Sequence, residues 1–323
     1  MDDTRVKRAG VIINPLSGKR SGHGLALAAK LAGAASVAVK LLERFGQLSD
    51  FLDEFAREGV TDLFISSGDG TVHAIQTDLA ERKPFRHLPR LTLLPHGTTN
   101  MTAADPGFNR KGIDAQADFI QTLAAKDLRK RPTLRVANPR GGKPLHGMFL
   151  GAGAIWQGTL FCQEAFNSKG MKGNFAAFAT VAGSIARALF TAPNPSDVTR
   201  LDRPHPITIE ADGQPLTNGQ HTLLLSTTLH KLVLNTKPFW GKGPGDIHST
   251  VIPYPLPSIP RWLFPVMYGT VKDKGPPGTL SFAATEMAIR TPSSFVIDGE
   301  FFDPPDQEPL KVETGPEFTY VCG

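Results

Sequence analysis

Residues 10–126 alternate short apolar runs with helix-compatible segments, and this alternation restricts the fold more than any other feature of the chain. Gly10–Asn14, Ser36–Leu42, Leu63–Ser66 and Leu91–Leu94 read as strands. Helices are expected over about Leu25–Leu31, Ser49–Arg57 (capped by Ser49 or Asp50), Val72–Leu79 and Ile113–Lys126. Strands this short and this continuously apolar need cover on both faces, which a parallel sheet flanked by helices supplies. Ligands of such sheets bind beyond the carboxyl ends of the strands. Three loops fall there: Asn14-Pro15-Leu16-Ser17-Gly18, Ser67-Gly68-Asp69-Gly70-Thr71 and Pro95-His96-Gly97-Thr98-Thr99-Asn100. Without a Cβ in the way, backbone N–H groups in glycine-bearing loops can approach a phosphate closely.

The pattern changes after Arg131-Pro132. Strand-like runs with turn signals follow at Thr133–Ala137, His146–Gly151, Ile207–Glu210, His221–Ser226, Ser249–Ile252, Thr279–Ala283 and Glu286–Arg290. A long helix is expected at about Asn174–Phe190, and the Pro/Gly-rich stretch 253–278 reads as a long excursion from the sheet. The fold class expected is therefore an α/β nucleotide-binding domain with a parallel sheet, residues 1–131, followed by a mostly antiparallel β-rich domain, residues 132–323. The active site would lie in the cleft between them, and the segment after about Glu300 is free to return to the first domain.

At 323 residues the chain can bury two cores, and its 40% apolar and 20% charged content is ordinary for a globular protein. The net charge of +5 leaves two readings open, a generic solvated surface or attraction to anionic nucleotides and lipid headgroups. No Lys/Arg run interleaved with aromatics is present, so no nucleic-acid partner is expected. Cys162 and Cys322 form no C-x-x-C pair and suit a reducing compartment. Met1–Gly10 is charged, and no run approaches the ~18 apolar residues of a membrane span. A cytoplasmic protein with at most peripheral membrane contact is expected. No His/Cys/Asp spacing resembles a zinc site; His73 and His96, which flank the loops, either touch the nucleotide or, the reading preferred, are structural.

Phosphoryl transfer needs a cradle for phosphates, a divalent cation and a carboxylate to orient or deprotonate the acceptor. Asn14 and Gly18, then Gly68, Gly70 and Thr71, then Gly97, Thr98 and Asn100 are the cradle candidates. Asp69 either faces Mg²⁺ or an acceptor hydroxyl, or caps the helix that starts near Thr71.

Taken in order, the three loops resemble the diacylglycerol kinase catalytic-domain superfamily, which includes bacterial lipid kinases and the sphingosine and ceramide kinases. Its members carry N-P-x-x-G, [GS]-G-D-G-T and P-x-G-T-x-N loops, matched here by Asn14–Gly18, Ser67–Thr71 and Pro95–Asn100. The likeness continues in Phe149–Gly153, in Lys169-Gly170-Met171-Lys172-Gly173 and in Ile297-Asp298-Gly299-Glu300. The resemblance implies ATP and Mg²⁺ (or another divalent cation) as cofactors, and transfer of phosphate to a membrane-lipid hydroxyl of diacylglycerol or ceramide/sphingoid type. It makes Asp298 a candidate general base or part of the carboxylate network holding it. Asp69 is its rival, and Glu300 lies beside the metal. The residues alone favour an ordinary Asp-Gly hairpin turn at 298–299.

The chain departs from the family at Ala74, where Glu is usual, and at Met101, where Asp is common. Gly245-Asp246-Ile247-His248-Ser249 lacks the paired aspartates of a structural Mg²⁺ segment. These losses keep two alternatives open, a retired nucleotide- or lipid-binding homologue and a soluble-substrate kinase such as an NAD kinase. The stretch 257–268, with Trp262, Phe264, Met267 and Tyr268 beside Arg261, is the candidate for peripheral membrane contact, or else packs on the second sheet. The helix 174–190 reads as core or as lipid pocket.

Overall fold

The computed structural model describes residues 7–17, 22–97, 101–124, 127–169, 183, 187, 191, 194–197, 199–256, 259–271 and 275–322. Among them the chain divides into two compact units. The first comprises residues 1–133, 231–233 and 315–323, and the second residues 134–230 and 234–314.

In the first unit, β1 (Ala9–Ile13), β2 (Val37–Leu41), β3 (Asp62–Ser67) and β4 (Arg90–Pro95) form a parallel sheet in the order β2-β1-β3-β4. The helices α1 (His23–Leu31), α2 (Leu48–Arg57), α3 (Asp69–Glu81), α4 (Met101–Ala104) and α5 (Ile113–Thr122) follow the strands in βα alternation. Every residue of β1 and β3 is buried, as a sheet covered on both faces requires. Val11, Ile13, Leu27, Leu31, Phe64 and Ile120 belong to its core. Buried Asp62 pairs with Arg90, its cross-strand neighbour, at 2.6 Å, so the charge is not stranded in the interior. The Gln76 amide of α3 donates to the Tyr320 hydroxyl at 2.7 Å and fastens the last strand to this unit. Ser49 lies inside α2 rather than at its cap; the helix starts one residue earlier, and the Ser49 hydroxyl donates to Asp78.

The strands β5 (Leu128–Val136) and β15 (Leu310–Val321) each contribute residues to both units. Between them in sequence run β6 (Leu145–Gly147), β7 (Phe149–Gly153), β8 (His205–Ala211), β9 (Gln214–Thr227), β10 (Ile247–Pro253), β11 (Leu280–Ala284), β12 (Glu286–Arg290), β13 (Phe295–Ile297) and β14 (Glu300–Phe302). The pairings β14-β13-β7-β9-β8-β12 are antiparallel, and β10 joins β9 to β11. The core of this unit is aliphatic, with Leu150, Ile207, Ile209, Leu224, Val251, Ile289 and Phe295 at its centre. Fold class is thus as the residue pattern predicts, a parallel α/β part and an antiparallel β-rich part.

Two stretches differ from expectation. The helix α6 (Ala154–Lys169) follows directly on the glycine-bearing strand β7, earlier than the helix expected at 174–190, most of which lies outside the described residues. The helix α7 (Ile259–Met267) replaces the loop expected within 253–278. Pro260 occupies its first turn, where a missing N–H costs nothing, so the proline-rich sequence does not prevent a helix. No helix among the described residues is long and apolar enough to cross a membrane.

Candidate functional site

The ends of β1, β3 and β4 meet at Gly68. A methyl group on this residue would lie 3.4 Å from Ser17 Oγ and 3.5 Å from Gly97 Cα, so one Cβ would occupy the space where the three loops converge. Asn14 organises the first loop. Its Oδ1 accepts from Leu16 N at 3.0 Å, its carbonyl accepts from Ser17 N at 3.1 Å, and its Nδ2 donates to Thr71 Oγ1 at 3.0 Å. The last bond ties the β1 loop to the first turn of α3. The N-cap of that helix is Gly68, with no side-chain cap hydrogen bond, and the positive end of the helix dipole lies there, which favours an anion. Ser67, 4% exposed, has a hydroxyl with no hydrogen-bond partner among the described residues. A buried, unpaired hydroxyl beside a cap-free helix start suits a phosphate oxygen.

Asp69 is the first residue of α3 and is half-buried. Its Oδ1 accepts from Thr102 N at 3.0 Å, so it caps the four-residue α4 rather than its own helix. Gly70 and Thr71 continue the first turn of α3, with Thr71 buried. The structure therefore brings together Asn14, Gly68, Thr71 and Gly97, with Asp69 and Gly70 in the same turn. Gly18, Thr98 and Asn100 lie outside the described residues.

Sequence reasoning passed over Ser66 and Gly24, and gave Ser67 only as the start of the second loop. A Cβ on Gly24, in α1, would sit 2.7 Å from Ile13 Cγ2 and 3.1 Å from Ser66 Oγ, so only glycine lets α1 start this close to the strand ends. The signal was available in two serines closing an apolar strand.

Asp298 and Glu300 belong to the second unit. Asp298 and Gly299, with φ of 48° and 90°, make the two-residue turn between β13 and β14, as the Asp-Gly dipeptide suggests. The Asp298 carboxylate is 2% exposed and accepts from Met148 N at 3.1 Å and Phe149 N at 3.0 Å. Gly147 makes room for it, since a Cβ there would lie 2.6 Å from Asp298 Oδ2. Gln163 of α6 holds the same turn by donating to the Gly299 carbonyl at 3.1 Å. Glu300, at the start of β14, is exposed. Among the described residues no group of three His, Cys, Asp or Glu side chains could hold a metal. A cation here would take one or two carboxylates and complete its shell with phosphate oxygens, which is how Mg²⁺ is commonly bound.

The second unit also encloses a cavity of about 410 Å³. Ile155, Leu223, Leu225, Ile252, Leu263 and Val266 line it, drawn from α6, β9, β10 and α7. Asp202 reaches its wall, but both carboxylate oxygens are engaged by Arg200 at 2.8 and 2.6 Å, which leaves an apolar interior. Phe264 of α7 is 67% exposed and Tyr268, just after the helix, 43%.

Comparison with known proteins shows what this arrangement is similar to. The diacylglycerol kinase catalytic domain model matches residues 8–131, the segment that carries all three loops. A candidate lipid kinase of Streptococcus pneumoniae serotype 4 is 33% identical over 101 residues, which is 30% of this chain and 33% of that protein. The match thus spans about a third of the curated relative's length. Two crystal structures of candidate diacylglycerol kinases from Bacillus anthracis strain Sterne share the fold. They superpose with TM-scores of 0.66 and 0.64 at 18% and 17% identity, each covering 99% of both chains.

Proposed function

We propose that the chain is an ATP-dependent lipid kinase that transfers the γ-phosphate to a hydroxyl of a membrane lipid of diacylglycerol or ceramide/sphingoid type. The observation that carries this reading is the convergence of three loop ends on Gly68, with a Cβ-sized space bordered by Ser17 and Gly97. Backbone amides of α3 and the Ser67 hydroxyl would hold the phosphates, and the loops containing Gly18, Thr98 and Asn100 would complete the cradle. A divalent cation, when bound, neutralises charge on the transferred group. Asp69 in the first unit and, separately, Glu300 in the second are the carboxylate candidates for holding it.

As the lipid oxygen bonds to the γ-phosphorus, the bond to the bridging oxygen of ADP breaks and the hydroxyl proton leaves to a carboxylate. Of the two candidates for that proton, Asp69 is the more accessible. The Asp298 oxygens are buried and face two backbone amides, so we assign Asp298 the task of holding the hairpin that presents Glu300. The apolar cavity supports the lipid half of the reading, since its volume suits part of a hydrocarbon chain. Exposed Phe264 on α7 and Tyr268 just after it, with Arg261 over Trp262 at 5.4 Å, suit a headgroup boundary and a cytoplasmic protein bound peripherally to a membrane.

The test is transfer of label from γ-labelled ATP, with Mg²⁺, into a total lipid extract and, in parallel, into NAD and other soluble acceptors. Label in an organic-extractable product supports the proposal. Label in NAD alone would replace it with a soluble-substrate kinase, and ATP binding without any transfer would replace it with a retired homologue.

A further inference from the structure

His96 stands in the third loop, and its ring has a definite seat. Nδ1 lies 2.8 Å from Ser66 Oγ at the end of β3, and both residues are buried, at 7% and 1% exposure. The His96 N–H donates to the Leu94 carbonyl at 2.7 Å, a tight turn that swings the loop back over the strand ends. On its other side the ring meets His23, the first residue of α1, with centroids 5.6 Å apart. One side chain thus touches the ends of β3 and α1 while its chain neighbour, Gly97, borders the Gly68 space at 3.5 Å.

We propose that His96 is a positioning residue for the phosphate cradle, setting the distance of Gly97 from Gly68 by seating its ring on the Ser66 hydroxyl. This rests on the reading of the loops as a nucleotide site. Imidazole does here what an aliphatic side chain cannot, because the buried Ser66 hydroxyl needs a partner. The ring is also held neutral. Burial first, then the neighbouring His23, push its pKa below the ordinary histidine range, and Gln116 of α5 acts weakly in the opposite direction. Among the described residues His23 is the titratable side chain against the ring, and it adds to the cost of a proton there. The cradle should therefore loosen as pH falls through the lowered His96 pKa, on the acid side of the ordinary histidine range.

The experiment is steady-state phosphate transfer with varied MgATP for the native chain, His96→Ala, Ser66→Ala, the double variant and His96→Asn, whose amide can reach the same hydroxyl. Each alanine variant should raise KM for ATP about tenfold, equivalent to about 1.4 kcal/mol, with kcat within about twofold of native. The double variant should be no worse than either single one, because both remove the same contact. His96→Asn should restore KM to within about threefold and abolish its rise at acid pH. An unchanged KM in His96→Ala, additive effects, or the same pH profile in His96→Asn and the native chain would overturn the proposal. If the native chain shows no ATP turnover or binding, the nucleotide reading fails by itself. Amide exchange over Leu94–Gly97 then decides on His96, because faster exchange in His96→Ala with native-like exchange in His96→Asn supports the seat and unchanged exchange refutes it.

Discussion

The dipeptide Asp-Gly occurs in both units at a place where chemistry is expected, and the two regions use it differently. At Asp69-Gly70 it opens a helix, Asp69 is half-buried, and its carboxylate accepts from the amide of Thr102. At Asp298-Gly299 it turns a hairpin in left-handed conformation, and the carboxylate is sealed against two strand amides. A parallel sheet ends each strand in a loop that faces solvent, so a polar side chain there stays within reach of a ligand. An antiparallel hairpin folds its turn back onto the neighbouring strand, and the same side chain becomes a buried acceptor. Motif matching alone gives both aspartates equal standing; their surroundings do not.

The comparison can be broken most decisively at Asp69. Asp69→Asn keeps an oxygen for Thr102 N and removes the charge. Phosphate transfer should fall by about 10²–10⁴-fold with the urea midpoint almost unchanged, and transfer near the native rate would move the base elsewhere. Asp298→Ala should do the reverse in kind. It leaves the amides of Met148 and Phe149 unpaired and puts alanine at positive φ, which together cost about 2–4 kcal/mol of stability in urea unfolding. A stable Asp298→Ala chain that has lost transfer would return the catalytic role to Asp298.

Acid sharpens the contrast on a smaller scale. Burial lowers the pKa of His205, His221 and His248 in the second unit and of His96 in the first. Each pKa is lower in the folded chain than in the unfolded one, so the unfolded chain binds more protons in the window below about 6.5. Stability is fully present above that value and declines as pH falls through the folded values. Thermal unfolding followed from pH 8 to 5 should show a midpoint that holds and then drops, and the drop should shrink in His205→Gln. The smallest effect belongs to the surface of α7. Phe264→Ser should leave stability within about 0.5 kcal/mol of native while lowering co-sedimentation with anionic vesicles several-fold. Unchanged sedimentation would remove α7 from membrane contact.

The alternation of strands and helices was legible because buried parallel strands are written as continuous apolar runs, as in Leu63–Ile65. The loop glycines were legible for the same physical reason that makes them useful, since a missing Cβ leaves room for backbone. The hairpin at Asp298-Gly299 was legible as a turn dipeptide. The helix α7 was not, because Pro260 and Pro265 resemble loop punctuation and only the first sits where a helix tolerates it freely. Nor was α6 legible, since Ala154-Ile155-Trp156 carries no cap residue to announce a start. The tie between Ser66 and His96 lies beyond any local pattern, because it joins residues 30 positions apart.

The account's central claim is that the Gly68 loops bind nucleotide and the apolar cavity binds the lipid chain. Steady-state transfer measured against both ATP and lipid, for the native chain, Gly68→Ala and Val266→Trp, tests it directly. Gly68→Ala places a methyl group in the space between Ser17 and Gly97 at ordinary contact distances, so the chain should fold and its KM for ATP should rise about tenfold while KM for lipid stays native. Val266→Trp fills the cavity from α7 and should raise KM for lipid alone. Native KM for ATP in Gly68→Ala, or a change confined to ATP in Val266→Trp, would contradict the account.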